Sequence, residues 1–473
     1  MSTEASPVVC LINLGCPKNL VDGEWMLGRL EQAGYRLTHD PEASDVIIVN
    51  TCAFIREAQQ EAIDHILEMA RLKASGRPAH LVVAGCLSER HGGELKEEMP
   101  EIDAVIGPGM LSHLVPLVRR LVEGKGGITC TGTFEAIEGP RPRVRTGSPH
   151  TAYVKIAEGC DHRCAYCLIP RLRGPYRSRS PEEIRQEVIE LAGEGVQEAI
   201  LVAQDTTAYG GDRRAPTTLL RLLEVLETAE APAWIRVMYT HPGHWDEALI
   251  DRFGAGGRLL PYVDLPIQHI SNRVLRHMGR GHDGDSIRRL VERLREKIPR
   301  LVLRTTVLVG HPGEGRAEFE ELLRFLQEFP FDRLGAFAYS PEDGTRSANM
   351  EPSVHREEAE ERRSQILELQ RNLSFTQQGR RKGQRLDLLV EGIQADRGYL
   401  VGRTYGEAPE IDGLVVVKGL RTASHLAVVP GEFLPIRITG AGPYDLVAAP
   451  AGADRDIQEK PSGCPPGGDE GDR

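Results

Sequence analysis

The sequence predicts an α/β protein in three parts: an N-terminal doubly wound α/β domain, a central partial (β/α)6 barrel and a small C-terminal antiparallel β-barrel. Three observations predict it. Short apolar runs alternate with amphipathic stretches twice along the chain, on either side of an arginine- and proline-rich segment at 139–148, GPRPRVRTGS. The second series holds six such units, which suits an open barrel better than a closed eight-fold one. From Gln384 to Val447 the apolar period shortens to two.

In the first series the runs are Val8–Leu14, Val46–Val49, Leu81–Ala84 and Ala104–Ile106, with helices expected at Gly23–Gln32, Ile55–Lys73 and Leu111–Leu121. Continuous apolar runs between helices mark strands buried on both faces of a parallel sheet. The second series places strands at Ala152–Ala157, Ala199–Ala203, Ile235–Tyr239, Tyr262–Leu265, Leu303–Val309 and Gly335–Tyr339. One helix between them opens with Ser180-Pro181-Glu182-Glu183, a hydroxyl cap, a proline at the first helical position and acids in the first turn. A charged amphipathic helix, Glu357–Gln377, should end this part. Five short segments follow, RLDLLVEG, YLVGRT, LVVVKG, FLPIRITG and YDLVA, the pattern of a five-stranded barrel. The expected division is 1–138, a linker at 139–148, 149–378 and 379–447, with a tail at 448–473 whose composition is that of a disordered segment.

With 40% hydrophobic and 27% charged residues, the composition is that of a folded, soluble protein. No apolar run approaches the roughly 20 residues that span a bilayer, so no membrane segment is expected. The start carries Glu4 and lacks a basic stretch leading into an apolar one, so no signal peptide is read and the expected location is cytoplasmic. A net charge of −11 argues against non-specific nucleic-acid binding and favours a basic partner. In the terminal barrel basic and acidic residues nearly balance, and Tyr399, Tyr405 and Phe433 are few for a stacking surface. That composition favours docking a protein over RNA.

The nine cysteines carry the chemistry. Cys160, Cys164 and Cys167 form a C-x3-C-x2-C motif, EGCDHRCAYC, directly after the first strand of the second series. Three thiolates on one tight loop can ligate three irons of a 4Fe–4S cube and leave the fourth open. An open iron can chelate S-adenosylmethionine (SAM) through its amino and carboxylate groups, pass it one electron and release a 5′-deoxyadenosyl radical. The competing reading is a structural zinc site with His162 as fourth ligand, but zinc knuckles use two ligand pairs separated by a longer spacer.

Cys16, Cys52 and Cys86 are far apart in sequence but share a context, each lying just past an apolar run: VCLINLGC, DVIIVNTC and HLVVAGC. In a parallel sheet all strand carboxyl ends lie along one edge, so the three converge, and a second 4Fe–4S cluster is expected there. Gly15 and Gly85 precede two of them and suit close backbone approach. Cys10, Cys130 and Cys464 do not fit either set and read as inert.

Over nearly its whole length the chain resembles the methylthiotransferase family of radical SAM enzymes. LGCPKNLVDGE, VNTCAFI, AGCL, KIAEGCDHRCAYC, LVAQDTTAYG, DLPIQHIS and TTVLVGHPGE carry the resemblance, and the terminal barrel is similar to a TRAM domain. LGCPKN and APEIDG match the ribosomal-protein branch; the tRNA-modifying branch has a phenylalanine before the glycine and Gln-Met-Asn after the cysteine. The resemblance implies β-methylthiolation of an aspartate in protein twelve of the small ribosomal subunit. It implies two SAM molecules, a sulfur donor, and a low-potential electron donor such as flavodoxin or ferredoxin. The Cys16, Cys52 and Cys86 cluster would hold or supply the sulfur. The substrate it implies is a very basic protein, in keeping with the acidic chain. Gly23 departs from the branch's usual serine, and His311 from its usual phenylalanine.

Gln204 and Asp205, and likewise Gln268 and His269, stand at strand carboxyl ends where barrel sites are built, as candidate contacts to SAM. Turn capping accounts for such residues equally well. Gly310 and Gly313 would admit the adenine close to the backbone. Of Arg171, Arg173, Arg177 and Arg179, at most one or two are expected to be functional, pairing with the cofactor carboxylate or the substrate aspartate, and the rest to be solvated. A tRNA methylthiotransferase acting on an adenosine near the anticodon is the second enzyme reading, and a zinc-stabilised RNA-binding protein the non-enzyme one.

Overall fold

Strand β1 (Val8–Asn13) leads through α1 (Pro17–Gln32) and β2 (Arg36–Thr38) to β3 (Val46–Thr51), α2 (Arg56–Ala74) and β4 (His80–Gly85). The chain continues as α3 (Cys86–Glu98), β5 (Ala104–Ile106), α4 (Leu114–Val122) and β6 (Thr129–Cys130). This computed structural model describes residues 6–134, 139, 141–227, 230–352, 354–394, 397–418 and 428–451. Of the predicted tail, residues 452–473, Cys464 among them, lie outside the described residues, whereas 448–450 complete the last strand of the C-terminal barrel rather than starting a tail, because their alternation continues its apolar face. The strands form one parallel sheet in the order β2-β1-β3-β4-β5-β6. Its central strands are apolar because both faces are covered. Ile66, Met69, Leu87 and Leu95 of α2 and α3 pack on one face, and Met26, Leu30, Leu114 and Leu117 of α1 and α4 on the other.

Two features of this region depart from the sequence expectation. Helix α1 starts at Pro17 rather than Gly23, because extended Cys16 acts as its N-cap and Pro17 takes the first turn. Helix α3 and edge strands β2 and β6 were not anticipated. Its sequence, CLSERHGGELKEE, has a weak apolar period, two adjacent glycines and a kink at His91. The described part of the 139–148 segment is irregular, yet it lies against α1. The amide of Val144 donates to the Glu24 carbonyl (3.1 Å), and Arg143 bridges Glu24 and Glu187. A Cβ on Gly28 would sit 2.2 Å from the Pro142 carbonyl oxygen.

The second series runs β7 (Thr151–Lys155), β8 (Ala157–Glu158), α5 (Ile169–Leu172), β9 (Arg177–Ser178), α6 (Pro181–Gly193), β10 (Glu198–Val202) and α7 (Leu219–Leu226). It goes on through β11 (Trp234–Val237), α8 (Glu247–Gly254), β12 (Leu259–Asp264), α9 (Asn272–Met278) and α10 (Gly284–Lys297). It ends with β13 (Val302–Val309), α11 (Arg316–Glu328), β14 (Arg333–Ala338) and α12 (Arg356–Gly379). Six strands make an open parallel sheet, β14-β13-β12-β11-β10-β7, in simple chain order. Ser180 caps α6 as expected, accepting from the Glu183 amide (3.1 Å). One large core of Val, Leu, Ile and Phe lies between sheet and helices.

The chain divides into two compact units, Met1–Thr376 and Gln377–Arg473. The second holds β15 (Arg385–Gln394), β16 (Tyr399–Arg403), β17 (Val415–Val417), β18 (Phe433–Ala441) and β19 (Leu446–Pro450), closed in the order β15-β16-β17-β19-β18. Four ladders are antiparallel and β17–β19 is parallel. A closed ring with an odd number of strands cannot alternate direction throughout, so one pairing in an otherwise antiparallel barrel must be parallel. Among the described residues no helix is long and apolar enough to cross a membrane.

Replacing Gly28 by Ala should lift the 141–148 segment from α1 at a cost of about 1–3 kcal/mol, the usual range for overpacking. Thermal denaturation should show a lower midpoint for this variant. Gly93→Ala, where a Cβ meets nothing within 4 Å, should leave it unchanged or raise it.

Candidate active site

Strands β1, β3 and β4 deliver Cys16, Cys52 and Cys86 to one edge of the first sheet. Cys16 begins α1, Cys52 follows β3, and Cys86 is the first residue of α3. The backbone comes close enough to demand glycine. Gly15 and Gly85 have φ of +91° and +94°. A Cβ on Gly15 would lie 2.6 Å from Cys52 Cβ, and one on Gly85 2.5 Å from the Thr51 carbonyl oxygen. Asparagines tie the strand ends together. Asn19 Nδ2 donates to the carbonyls of Leu14 (3.1 Å) and Thr51 (2.8 Å), and Asn50 Nδ2 to Asn13 Oδ1 (2.7 Å) and the Asn19 carbonyl (2.8 Å). Burial raises the Cys52 thiol, and the neighbouring Cys16 adds to the effect. Cys86 is pushed up to about 12 by burial, with Cys52 and Cys16 adding to it and Arg173 opposing. Three thiols that perturb one another are within one local site. Cys10, by contrast, lies inside β1 in the apolar core.

The second triad sits on the loop after β8. Gly159, with φ +77°, turns the chain where a Cβ would meet the Pro175 carbonyl oxygen at 2.1 Å. The Ala165 amide donates to the Met278 carbonyl (2.8 Å) and anchors the loop to α9. Burial raises Cys160 to about 11 and Cys167 to about 12. The Ile169 amide points at Cys167 Sγ (3.4 Å). Arg280 Nη1 approaches Cys164 Sγ (3.6 Å) while its Nη2 donates to the Pro266 carbonyl (2.9 Å). Each triad is thus a set of sulfur donors faced by N–H groups or a guanidinium, an arrangement suited to an iron–sulfur cluster with thiolate ligands. Free, the thiols of Cys52, Cys86, Cys160 and Cys167, all raised by burial, are protonated; ligation expels those protons.

Between the triads lies a buried ion network that spacing did not reveal. Arg173 Nη1 donates to Asp22 Oδ2 (3.0 Å) and Glu158 Oε1 (2.9 Å). Lys155 pairs with Glu158 Oε2 (2.5 Å) and with Asp22. Arg173 also donates to Asn19 Oδ1, next to Cys86. All four ionic side chains are buried. Burial alone would raise Glu158, but Arg173 and Lys155 hold it far below the usual carboxylate range. The network joins α1 to β7 and β8 and brackets both triads.

The chain matches the Radical SAM superfamily over residues 154–326, an uncharacterised family, UPF0004, over 8–107 and the TRAM domain over 383–450. It is 46% identical over 448 residues to the "Ribosomal protein uS12 methylthiotransferase RimO" of Desulforudis audaxviator, covering 93% of this chain and 96% of that one. The protein of the same name from Pelotomaculum thermopropionicum is also 46% identical, over 92% of this chain and 97% of its own. The chain belongs to the RimO family of methylthiotransferases. It is accordingly a radical SAM methylthiotransferase. Among solved structures, the radical SAM methyltransferase TsrM from Kitasatospora setae shares the fold. Its TM-score is 0.53 at 18% identity, over 71% of this chain and 75% of that one.

In this RimO-family chain the other sequence candidates are placed as follows. Asp205 caps a 3-10 turn, its Oδ1 accepting from the amides of Thr207 (2.9 Å) and Ala208 (3.2 Å). Its Oδ2 accepts from His162 Nε2 (2.7 Å) and lies 2.8 Å from His244 Nδ1. Burial opposes ionisation of Asp205, but hydrogen bonds from His162, His244 and Thr207 outweigh it and hold the carboxyl below its usual range. Gln204, beside it, is half-buried. His241 completes a group of four potential metal donors within 4.8 Å of one another. Its Nδ1, however, accepts from the Gly243 amide (3.2 Å), which puts the ring proton on Nε2 and leaves the set one imidazole short. Gln268 has φ 68° and is bridged to β13 through its backbone. His269 is fully buried, its Nδ1 accepting from the Ser271 amide (3.0 Å).

Protein atoms fill the space beside both glycines of VLVGHPGE. A Cβ on Gly310 would meet Ala359 Cβ at 2.5 Å, and one on Gly313 the His277 ring at 2.1 Å. The two departures from the family pattern are accommodated. A Cβ on Gly23 would approach Asn13 Oδ1 to 2.7 Å; buried His311 donates from Nδ1 to the Pro312 carbonyl and accepts at Nε2 from Ser347. Of the arginines after the loop, Arg171 is exposed and Arg177 donates to the Pro175 carbonyl. Arg173 serves the network, and Arg179 pairs with Glu187 (2.6 Å). Long-range partners such as Asp22 for Lys155 leave no periodic trace in sequence.

Arg173→Met should leave two buried carboxylates facing one lysine and destabilise the fold by about 3–5 kcal/mol, the cost of breaking a buried charge pair. Urea denaturation followed by tryptophan fluorescence, to which Trp25 with its ring centre 4.5 Å from Lys155 Nζ contributes, would detect it. A midpoint like that of the parent would contradict the role given to the network.

Proposed function

We propose that this chain inserts a methylthio group at the β-carbon of an aspartate in ribosomal protein uS12, with SAM as its cosubstrate. In this reading Cys160, Cys164 and Cys167 hold one 4Fe–4S cluster, and Cys16, Cys52 and Cys86 hold a second. The single observation that carries it is the presence, in one compact unit, of two separate sets of three free thiols, each set wholly or partly buried. A generic radical SAM enzyme needs one such set; the first sheet supplies another. The name carried by relatives that match end to end supports uS12 as the substrate.

When bound, the loop cluster supplies the electron that cleaves SAM, and the sheet-edge cluster supplies a place for the sulfur. The chain does the rest. Arg280 places a fixed cation beside Cys164, which offsets the negative charge that three thiolates bring. Arg173 does the same beside Cys86. Leu14 and Leu87 next to the strand-end triad, and Leu168 and Leu172 just after the loop triad, pack in one apolar core with Cys86 and limit the water that reaches them. A sulfur donor, a low-potential reductant such as flavodoxin or ferredoxin, a cytoplasmic location and the division at 138, 148 and 378 belong to the same proposal.

Anaerobic reconstitution should load about eight irons per chain, and about four when either triad is changed to Ala. The Cys160, Cys164, Cys167 triple variant should lose 5′-deoxyadenosine formation; the Cys16, Cys52, Cys86 variant should retain it and lose methylthiolation. Full iron content in the latter would remove the second cluster. Incorporation of labelled methyl into tRNA rather than uS12 would favour the tRNA reading instead.

A further inference from the structure

Lys18 stands two residues after Cys16 in the first turn of α1 and is 6% exposed. Its ammonium lies 3.5 Å from the centre of the Tyr239 ring. No hydrogen-bond acceptor or ion-pair partner among the described residues reaches it, in contrast to the other buried lysine of this site, Lys155, which is clamped by Asp22 and Glu158. The charged groups whose fields reach Lys18 are Cys16, Arg173, Glu158 and Asp264. Both carboxylates among them are committed elsewhere. Glu158 is taken by Arg173 and Lys155. Asp264 accepts from the Tyr239 amide (2.9 Å) at Oδ2 and lies 3.4 Å from Arg304 Nε at Oδ1.

Nor is the side chain wholly enclosed, since 6% of its surface remains exposed. The surroundings are built to keep it there. Tyr239 adopts φ 60°, a costly conformation for a bulky residue. It is held so by the bond from its own amide to Asp264 and by its carbonyl accepting from the Thr206 amide (3.0 Å). The ring that results supports a cation on its face. A desolvated ammonium resting on a π-face, near the Cys16 sulfur but with no carboxylate of its own, has room in its charge balance for one.

We propose that Lys18 is the receptor for a carboxylate, and that the carboxylate is the side chain of the aspartate to be modified. This rests on the functional reading above. Position selects the substrate over the other carboxylate at hand, that of SAM. Lys18 belongs to the first turn of α1, two residues after Cys16 of the triad assigned to sulfur, and not to the loop triad assigned to SAM. In an aspartate the β-carbon is bonded directly to the carboxylate carbon. Fixing that carboxylate on Lys18 therefore brings the carbon that must gain sulfur next to Cys16. Asparagine, neutral at the same position, would gain little from the ammonium, so the contact sets specificity as well as placement.

The test uses the full chain, reconstituted anaerobically, and two peptides of the uS12 target sequence, one with the aspartate and one with asparagine in its place. The parent should bind the aspartyl peptide in preference to the asparaginyl one. Lys18→Met should abolish that preference and lower kcat/KM for methylthiolation at least thirtyfold, about 2 kcal/mol at 1.4 kcal/mol per tenfold. Lys18→Arg should restore part of the preference. Iron content and the dissociation constant for SAM, measured without peptide, report whether the variant is intact. An undiminished aspartate preference in Lys18→Met overturns the proposal. So does a weakened SAM affinity with the preference intact, which would assign Lys18 to the methionyl carboxylate. If the parent itself neither binds nor modifies the aspartyl peptide, the functional reading fails first and takes this one with it.

Discussion

Two carboxylates and two cations buried together, Asp22 and Glu158 with Lys155 and Arg173, are the constraint on which the site depends. Each ion is expensive to remove from water, and the cost is offset only while every partner is in place. Asp22 rides on α1, Lys155 on β7, Glu158 on β8 and Arg173 just after α5. A small slip of one sheet against the other would strand a charge in an apolar interior, and packing of hydrocarbon side chains alone imposes no such penalty. The network therefore specifies one register between two α/β sheets that are otherwise separate folding patterns.

In the proposed function, that register is what lets two triads of opposite origin serve one reaction. One triad depends on local sequence, three cysteines on a loop steered by Gly159 and anchored at Met278. The other depends on topology, the carboxyl ends of three parallel strands laced by Asn19 and Asn50. Arg173 touches both worlds. It closes the ion network on one side and borders Asn19 and Cys86 on the other. Lys18, from the same first turn of α1, rests its ammonium on the Tyr239 ring.

Local and periodic features were legible in the sequence; long-range polar contacts were not. The runs that became β3, β4, β10 and β13 were read directly because buried parallel strands must be continuously apolar. The sharing of one sheet edge by Cys16, Cys52 and Cys86 followed from that alone. Helix α3 escaped because Gly92 and Gly93 and a kink at His91 break its apolar period. The parallel ladder between β17 and β19 escaped because pairing partners cannot be read from alternation, although ring parity demands one. Asp22, Lys155 and Glu158 all sit inside the motifs LVDGE and KIAEGC, yet their pairing spans separate domains of sequence. Asp205 reads equally as a cofactor contact or a turn cap; the structure shows the cap, plus imidazole partners from His162 and His244 that no local pattern announces.

The central claim is that both thiol triads hold clusters close enough to face one cavity. Electron paramagnetic resonance of the reconstituted, reduced chain tests it most directly. Two reduced clusters held in one site interact magnetically, so the spectrum of the intact protein should be broadened and split relative to the sum of the spectra from the two triple-cysteine variants. A spectrum equal to that sum would mean clusters too distant to cooperate, and a spectrum equal to that of the loop triad alone would mean that the strand-end cysteines hold no cluster.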